Sequence, residues 1–111
     1  MIYKIFRSNE WQDLQAQGYT AGAPIDLADD YIHFSTATQA QETADKHFAQ
    51  VEGLYLAAVD GAALGGDIKW EVSRGGAEFP HLYRRLHLDD VVWCLPLPLI
   101  DGRHKFPDQM T

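Results

Sequence analysis

Side chains that suit binding or acid–base chemistry recur at every second position in the segment YIHFS. Tyr31, His33 and Ser35 alternate there with Ile32 and Phe34. In a strand, this alternation places the three polar-tipped side chains on one face. Imidazole titrates near neutrality and can serve as an acid or a base. We therefore expect this face to point at a cleft or at water.

A second dense group of useful side chains follows in residues 79–86, FPHLYRRL. Pro80 fixes its own φ and holds the preceding residue extended, so His81 is presented from a stiffened segment. Phe79, Tyr83 and Arg84 add ring faces and a guanidinium, which together could stack a ring and bind a phosphate. Two adjacent arginines also occur as plain surface charge.

The segment Ile68–Ser73 alternates between apolar and polar residues and contains one carboxylate, Glu71. Ile68, Trp70 and Val72 are predicted on one face of a strand, with Lys69, Glu71 and Ser73 on the other. Glu71 could stabilise a cation in a site. It would equally be explained by a solvated pair of opposite charges with Lys69.

An amphipathic helix is predicted to begin directly after the YIHFS strand. Thr36 is a suitable N-cap residue, and Gln39 three residues later completes a capping-box pattern. Free amides and the helix dipole at this N-terminus favour an anionic or phosphate-bearing ligand beside His33 and Ser35. The alternative is that His33 and Ser35 are satisfied polar groups at a sheet edge.

The remaining elements form a small α+β pattern. Strands are predicted at residues 2–6, 54–59, 68–73 and 91–95, and a first helix at 8–17. Residues 19–30 are predicted as a loop, which either overhangs a pocket or is a plain connection. The second half lacks alternating helices, which favours a mostly antiparallel sheet with two main helices. We expect one domain over residues 1–111, with a loosely attached tail from about residue 101.

Composition narrows the class of function. The chain has 9 Lys and Arg against 16 Asp and Glu, a net charge of −7, which disfavours nucleic acid and anionic membranes as partners. No segment resembles a signal peptide or a membrane span, so the expected location is the cytoplasm. Cys94, the one cysteine, lies in an apolar run typical of a buried, inert thiol.

Familiar catalytic motifs are missing from the sequence. The phosphate loop, the dinucleotide-binding glycine pattern and the serine hydrolase elbow do not occur. The five histidines lack the spacing of a metal motif, so no metal is predicted. The oligomeric state is not determined by any of these patterns.

Several spaced motifs nonetheless resemble a known bacterial family, domain of unknown function 952. They are Tyr31–Thr36 with Gln39, then Lys69–Glu71, and Phe79–Tyr83. The resemblance implies a fold similar to the ADP-ribosyltransferase superfamily, whose members bind NAD in a cleft of a split antiparallel sheet. The segment I-H-F-S also resembles the V-H-L-S segment of RNA 2′-phosphotransferases, which remove a splice-site phosphate using NAD. The superfamily's His-Gly-Thr on the first strand is replaced by Ile2–Phe6.

The resemblance implies a transferase-like activity on NAD or a related nucleotide. His33, Glu71 and His81 would be catalytic, with Glu71 stabilising positive charge at the ribose carbon and His81 acting as acid or base. The ligand-binding side chains would be Tyr31, Ser35, Thr36, Gln39, Phe79, Tyr83 and Arg84. The alternative is a small-ligand-binding module on the same fold without turnover.

Overall fold

The computed structural model describes residues 1–110, apart from the side chain of Arg74; residue 111, the end of the predicted domain, lies outside the described residues. In chain order, the described residues form β1 (Ile2–Phe6), α1 (Ser8–Gln17), β2 (Tyr19–Thr20), α2 (Pro24–Asp29), β3 (Ile32–His33), α3 (Ala37–His47), β4 (Leu54–Val59), β5 (Ile68–Val72), β6 (Glu78–Leu82), β7 (Leu86–His87), β8 (Val91–Leu97), β9 (Leu99–Ile100) and β10 (Arg103–His104). Short 3-10 turns lie at Gly61–Asp67, Arg74–Gly76 and Leu88–Asp90.

Two three-stranded antiparallel sheets form the body. One has the order β1-β4-β8 and the other β3-β6-β5. An isolated bridge joins them, in which Tyr3 N donates to Ser35 O at 2.8 Å and Ser35 N donates to Tyr3 O at 2.9 Å. The pairs β2–β7 and β9–β10 are also antiparallel. The protein is therefore a small single-domain α+β fold with mostly antiparallel sheets.

The core lies on both sides of β1. Ile2 and Phe6 pack in a cluster that draws on both sheets and on Leu14 of α1. Tyr3 and Ile5 pack on the other side, in a cluster that includes Ala44 of α3. Successive side chains of a strand point to opposite sides, so β1 contributes to both clusters.

Residues 19–30 differ from the predicted plain loop, since they contain β2 and the short helix α2. Pro24 stands at the start of α2, where its missing N–H costs nothing. The Asp26 carboxylate accepts a hydrogen bond from Ala23 N at 2.7 Å and so caps the helix. Six residues are too few to show a clear helical periodicity in the sequence, which explains why the loop prediction was wrong.

The C-terminal segment packs against the body, where the sequence predicts a loosely attached tail. His104 is buried, and its Nε2 lies 2.8 Å from Val51 O. Phe106 and Met110 pack on the second core cluster. Among the described residues, no helix is long and apolar enough to cross a membrane.

Candidate functional site

The β3-β6-β5 sheet has one polar face and one core face. Antiparallel register places His33 opposite His81, and His81 opposite Lys69, so these side chains share a face. The intervening residues Ile32 and Leu82 are buried in the first core cluster. Burial of Ile32 and Leu82 on one face therefore fixes the polar side chains on the opposite face of the sheet.

Four rings cluster on this polar face. Tyr31 stacks on His81 with ring centroids 4.1 Å apart, and lies 5.3 Å from Tyr83. His33 meets His81 edge to face at 5.3 Å. Residues from two predicted motifs, about fifty positions apart in the chain, are thus brought into direct contact.

Glu71 orients His81. Its Oε1 lies 2.8 Å from His81 Nδ1 and accepts a hydrogen bond from Tyr83 OH at 2.6 Å. The bonds from Tyr83 and His81 lower the pKa of Glu71, while the bond to Glu71 raises the pKa of Tyr83 to about 12. An ionised carboxylate only accepts hydrogen bonds, so His81 Nδ1 carries the proton.

The opposite nitrogen of the same ring is buried without a protein partner. His81 is 2% exposed, and its Nε2 has no hydrogen-bond partner among the described residues. With the proton on Nδ1, the neutral ring offers a lone pair at Nε2. Unpaired buried polar atoms are costly, so this atom is a candidate for contact with a ligand.

A buried carboxylate holds the second histidine. Asp26 Oδ1 lies 2.6 Å from His33 Nδ1 and accepts from His33 N at 3.0 Å. Its Oδ2 accepts from Lys4 Nζ at 2.8 Å as well as from Ala23 N. Burial alone would raise the pKa of Asp26, but the hydrogen bonds from His33 and the charge of Lys4 bring it to about 2. Asp26 therefore remains ionised and ties β1, α2 and β3 together.

Sequence reasoning missed both Lys4 and Asp26. Lys4 is 6% exposed in the middle of an otherwise apolar strand, and a lone lysine there was the available signal. Gly22 was a second available signal for this cluster. It has φ 109°, and a Cβ at this position would lie 2.5 Å from the Asp26 side chain, so glycine is required there. The local pattern of residues 19–30 does not identify Asp26 as the partner of Lys4, because the two residues are 22 positions apart.

A cleft of about 840 Å³ adjoins the two histidines. Of the predicted site residues, His33, Ser35, Phe79 and His81 line it. Ser35 Oγ lies 3.1 Å from Thr43 Oγ1 on α3. Volumes of this size are typical of small-molecule sites. The cleft thus brings together part of the YIHFS motif and part of the FPHLY motif.

The other predicted site residues do not line this cleft. Thr36 and Gln39 form the predicted capping box of α3, and Gln39 Nε2 also donates to Glu78 O at 2.7 Å. Tyr31, Tyr83 and Arg84 line a smaller hollow of about 230 Å³. Glu71 lies behind His81. The predicted phosphate-binding helix end and guanidinium are therefore not among the lining residues of the larger cleft.

Arg84 is already paired with carboxylates. Its guanidinium contacts both oxygens of Asp90, at 2.9 and 3.2 Å, and its Nε lies 3.3 Å from Asp67 Oδ2. A phosphate would have to compete with these two acids. Within the described part of the chain, no three His, Cys, Asp or Glu side chains are grouped to hold a metal ion.

Comparisons with known proteins agree with the motifs. The family described as "Protein of unknown function (DUF952)" matches residues 5–94. The crystal structure of protein CC0527 from Caulobacter crescentus is 50% identical, covers 94% of this chain and 92% of that one, and superposes with a TM-score of 0.89. Its solution NMR structure is 48% identical, covers 93% and 89%, and has a TM-score of 0.84. No curated protein matches. The chain belongs to the DUF952 family.

Proposed function

We propose that the cleft binds NAD or a related nucleotide and that His81 is the acid–base group of the site, on an ADP-ribosyltransferase-like fold. The observation that carries this proposal is the buried Nε2 of His81, which has no hydrogen-bond partner in the part of the chain that the structure describes, in a side chain that lines a cleft of about 840 Å³. A fixed imidazole with a free lone pair is suited to take a proton from water or a hydroxyl.

The carboxylate behind the ring supports this role. Glu71 fixes the Nδ1–H form of His81 and would stabilise the imidazolium that forms when Nε2 takes a proton. Glu71 is therefore assigned as a positioning residue, since it does not line the cleft. In hydrolysis of the ribosyl bond, water oxygen would bond to the ribose carbon, the nicotinamide nitrogen would leave with the bonding electrons, and His81 would take the water proton.

The cleft also offers a place for the ligand's rings and hydroxyls. Phe79 provides an aromatic face, and Ser35 and His33 provide polar atoms on the same wall. Sites for drug-sized ligands are mostly apolar with a few placed polar groups. Thr36 and Gln39 would support this wall through the α3 capping box rather than by touching the ligand.

Isothermal titration with NAD and with ADP-ribose tests the proposal. We expect binding that His33→Ala and His81→Ala each weaken by about tenfold, near the value of one hydrogen bond to a charged group. His87→Ala, which changes an exposed histidine outside the cleft, is the matched control. Absence of binding to the wild-type protein would reject the proposal.

A module that binds without turnover is the second candidate. Its support is specific: Glu71 is engaged by His81 and Tyr83, so it is not free to face a ribose cation. The first strand also carries Ile2–Phe6 in place of the superfamily's His-Gly-Thr. Mass spectrometry of NAD incubated with the protein separates the two candidates, since a binding module leaves NAD intact and an enzyme releases nicotinamide.

A further inference from the structure

His33 stands between two carboxylates of α2 that differ in how firmly they are held. Asp26 contacts Nδ1, and Asp29 Oδ2 lies 3.1 Å from Nε2. Both ring nitrogens donate at once only in the cationic form of the ring. The His33 ring is therefore flanked by one carboxylate oxygen at each of its nitrogens.

We propose that His33 Nε2 is a subsite for a phosphate oxygen of the ligand, and that the Asp29 carboxylate occupies this subsite in the free protein. The proposal rests on the proposed nucleotide-binding function and names the group of the ligand that meets His33. Ligand binding then replaces the Asp29 oxygen at His33 Nε2 by a phosphate oxygen, while the contact between Asp26 and His33 Nδ1 remains unchanged.

The two carboxylates have very different exposure. The Asp26 side chain is fully buried and its oxygens accept four hydrogen bonds, so it cannot leave without dismantling the cluster. The Asp29 side chain is 41% exposed at the end of α2, and it can turn into water. Exposed ion pairs contribute little to stability, so this contact is easily exchanged.

The charges around the ring also favour an anion. Lys4 contacts Asp26 at 2.8 Å and also lines the cleft, so a positive charge lies next to the carboxylate that holds His33. His33 and Asp29 both line the cleft, whereas Asp26 does not. A phosphate oxygen arriving from the cleft therefore meets Asp29 as its competitor.

Removal of the competitor should tighten binding. We expect Asp29→Ala to bind ADP-ribose about fivefold more tightly than the wild-type protein, a coupling at the lower end of the usual range. Asp13→Ala is the matched control, because Asp13 is a carboxylate of α1 that lines the same cleft. Equal gains in both variants would indicate a general charge effect and overturn the subsite.

A second measurement does not depend on nucleotide binding. Long-range proton–nitrogen NMR spectra of the histidine rings are recorded during titration with inorganic phosphate. We expect the His33 resonances to shift at lower phosphate in Asp29→Ala than in the wild-type protein, while those of His87 stay fixed. This result without ADP-ribose binding would keep the subsite and reject the nucleotide function. His33 resonances that stay fixed in both proteins would overturn the subsite.

Discussion

Replacement of Asp26 by asparagine should strongly destabilise the protein. Asp26→Asn keeps the shape of the side chain but leaves the buried Lys4 ammonium without its counter-ion. Breaking a buried pair by removing one partner typically costs about 3–5 kcal/mol. Native domains have a total stability of about 5–15 kcal/mol, so the variant should be only marginally folded. Urea unfolding at neutral pH, followed by tryptophan fluorescence, measures the difference.

The pH dependence gives an independent magnitude. The pKa of Asp26 falls from 3.8 to about 2 on folding, and each pKa unit corresponds to about 1.4 kcal/mol, so the ionised carboxylate contributes on the order of 2 kcal/mol. Because the folded pKa is the lower one, this contribution is complete above pH 3.8 and is lost as the pH falls through 2. The wild-type protein should lose it on acidification, and Asp26→Asn should not.

Two further variants separate pairing from burial. Lys4→Met combined with Asp26→Asn removes both charges, keeps an amide oxygen as acceptor for the neighbouring N–H groups, and should recover part of the stability that Asp26→Asn alone loses. Lys46→Gln removes the exposed pair with Glu42 and should cost at most about 1 kcal/mol. A cost for Asp26→Asn as small as that of Lys46→Gln would refute the reasoning, as would a double variant less stable than Asp26→Asn.

Three other outcomes follow from individual contacts. Glu71→Gln should bring the pKa of Tyr83 from about 12 back toward 10.0 in an absorbance titration, and an unchanged titration would contradict the hydrogen bond. Burial raises the pKa of the Cys94 thiol to about 12. Iodoacetamide should therefore react slowly with the native protein at neutral pH and quickly in denaturant. Rapid reaction of the native protein would contradict the raised pKa. His104→Ala removes the bond to Val51 O and should cost about 1–3 kcal/mol, with faster proteolysis of the C-terminal segment; equal proteolysis rates would show that this anchor is unimportant.

The local parts of the fold could be predicted from the sequence. The boundaries of β1 and β4, the α3 capping box with Thr36 and Gln39, and the end of α1 at Gly18 depend on neighbouring residues. Each of these signals operates within one turn of helix or one strand. The strand predicted at residues 91–95 extends through Pro96 to Leu97 in β8, because an edge strand tolerates a residue without an N–H.

The parts that sequence reasoning missed depend on contacts between distant residues. Asp26 meets Lys4 across 22 positions and His33 across 7, and no periodic pattern encodes such a meeting. His104 finds Val51 O across 53 positions. For the site, the two histidines and Glu71 could be identified because each stands in a recognisable local pattern, whereas the pairing of Glu71 with His81 and the role of Asp26 follow only from the packed chain.

The bridge between Tyr3 and Ser35 lies at the cleft and joins the two sheets that enclose it. Both residues line the cleft, so its floor is the seam where one sheet meets the other. Across this seam the two sheets are held by two backbone hydrogen bonds and by the first core cluster, which contains Ile2 and Phe6 from one sheet and Ile32 and Leu82 from the other. The width of the cleft is therefore set by core packing as well as by the side chains that line it.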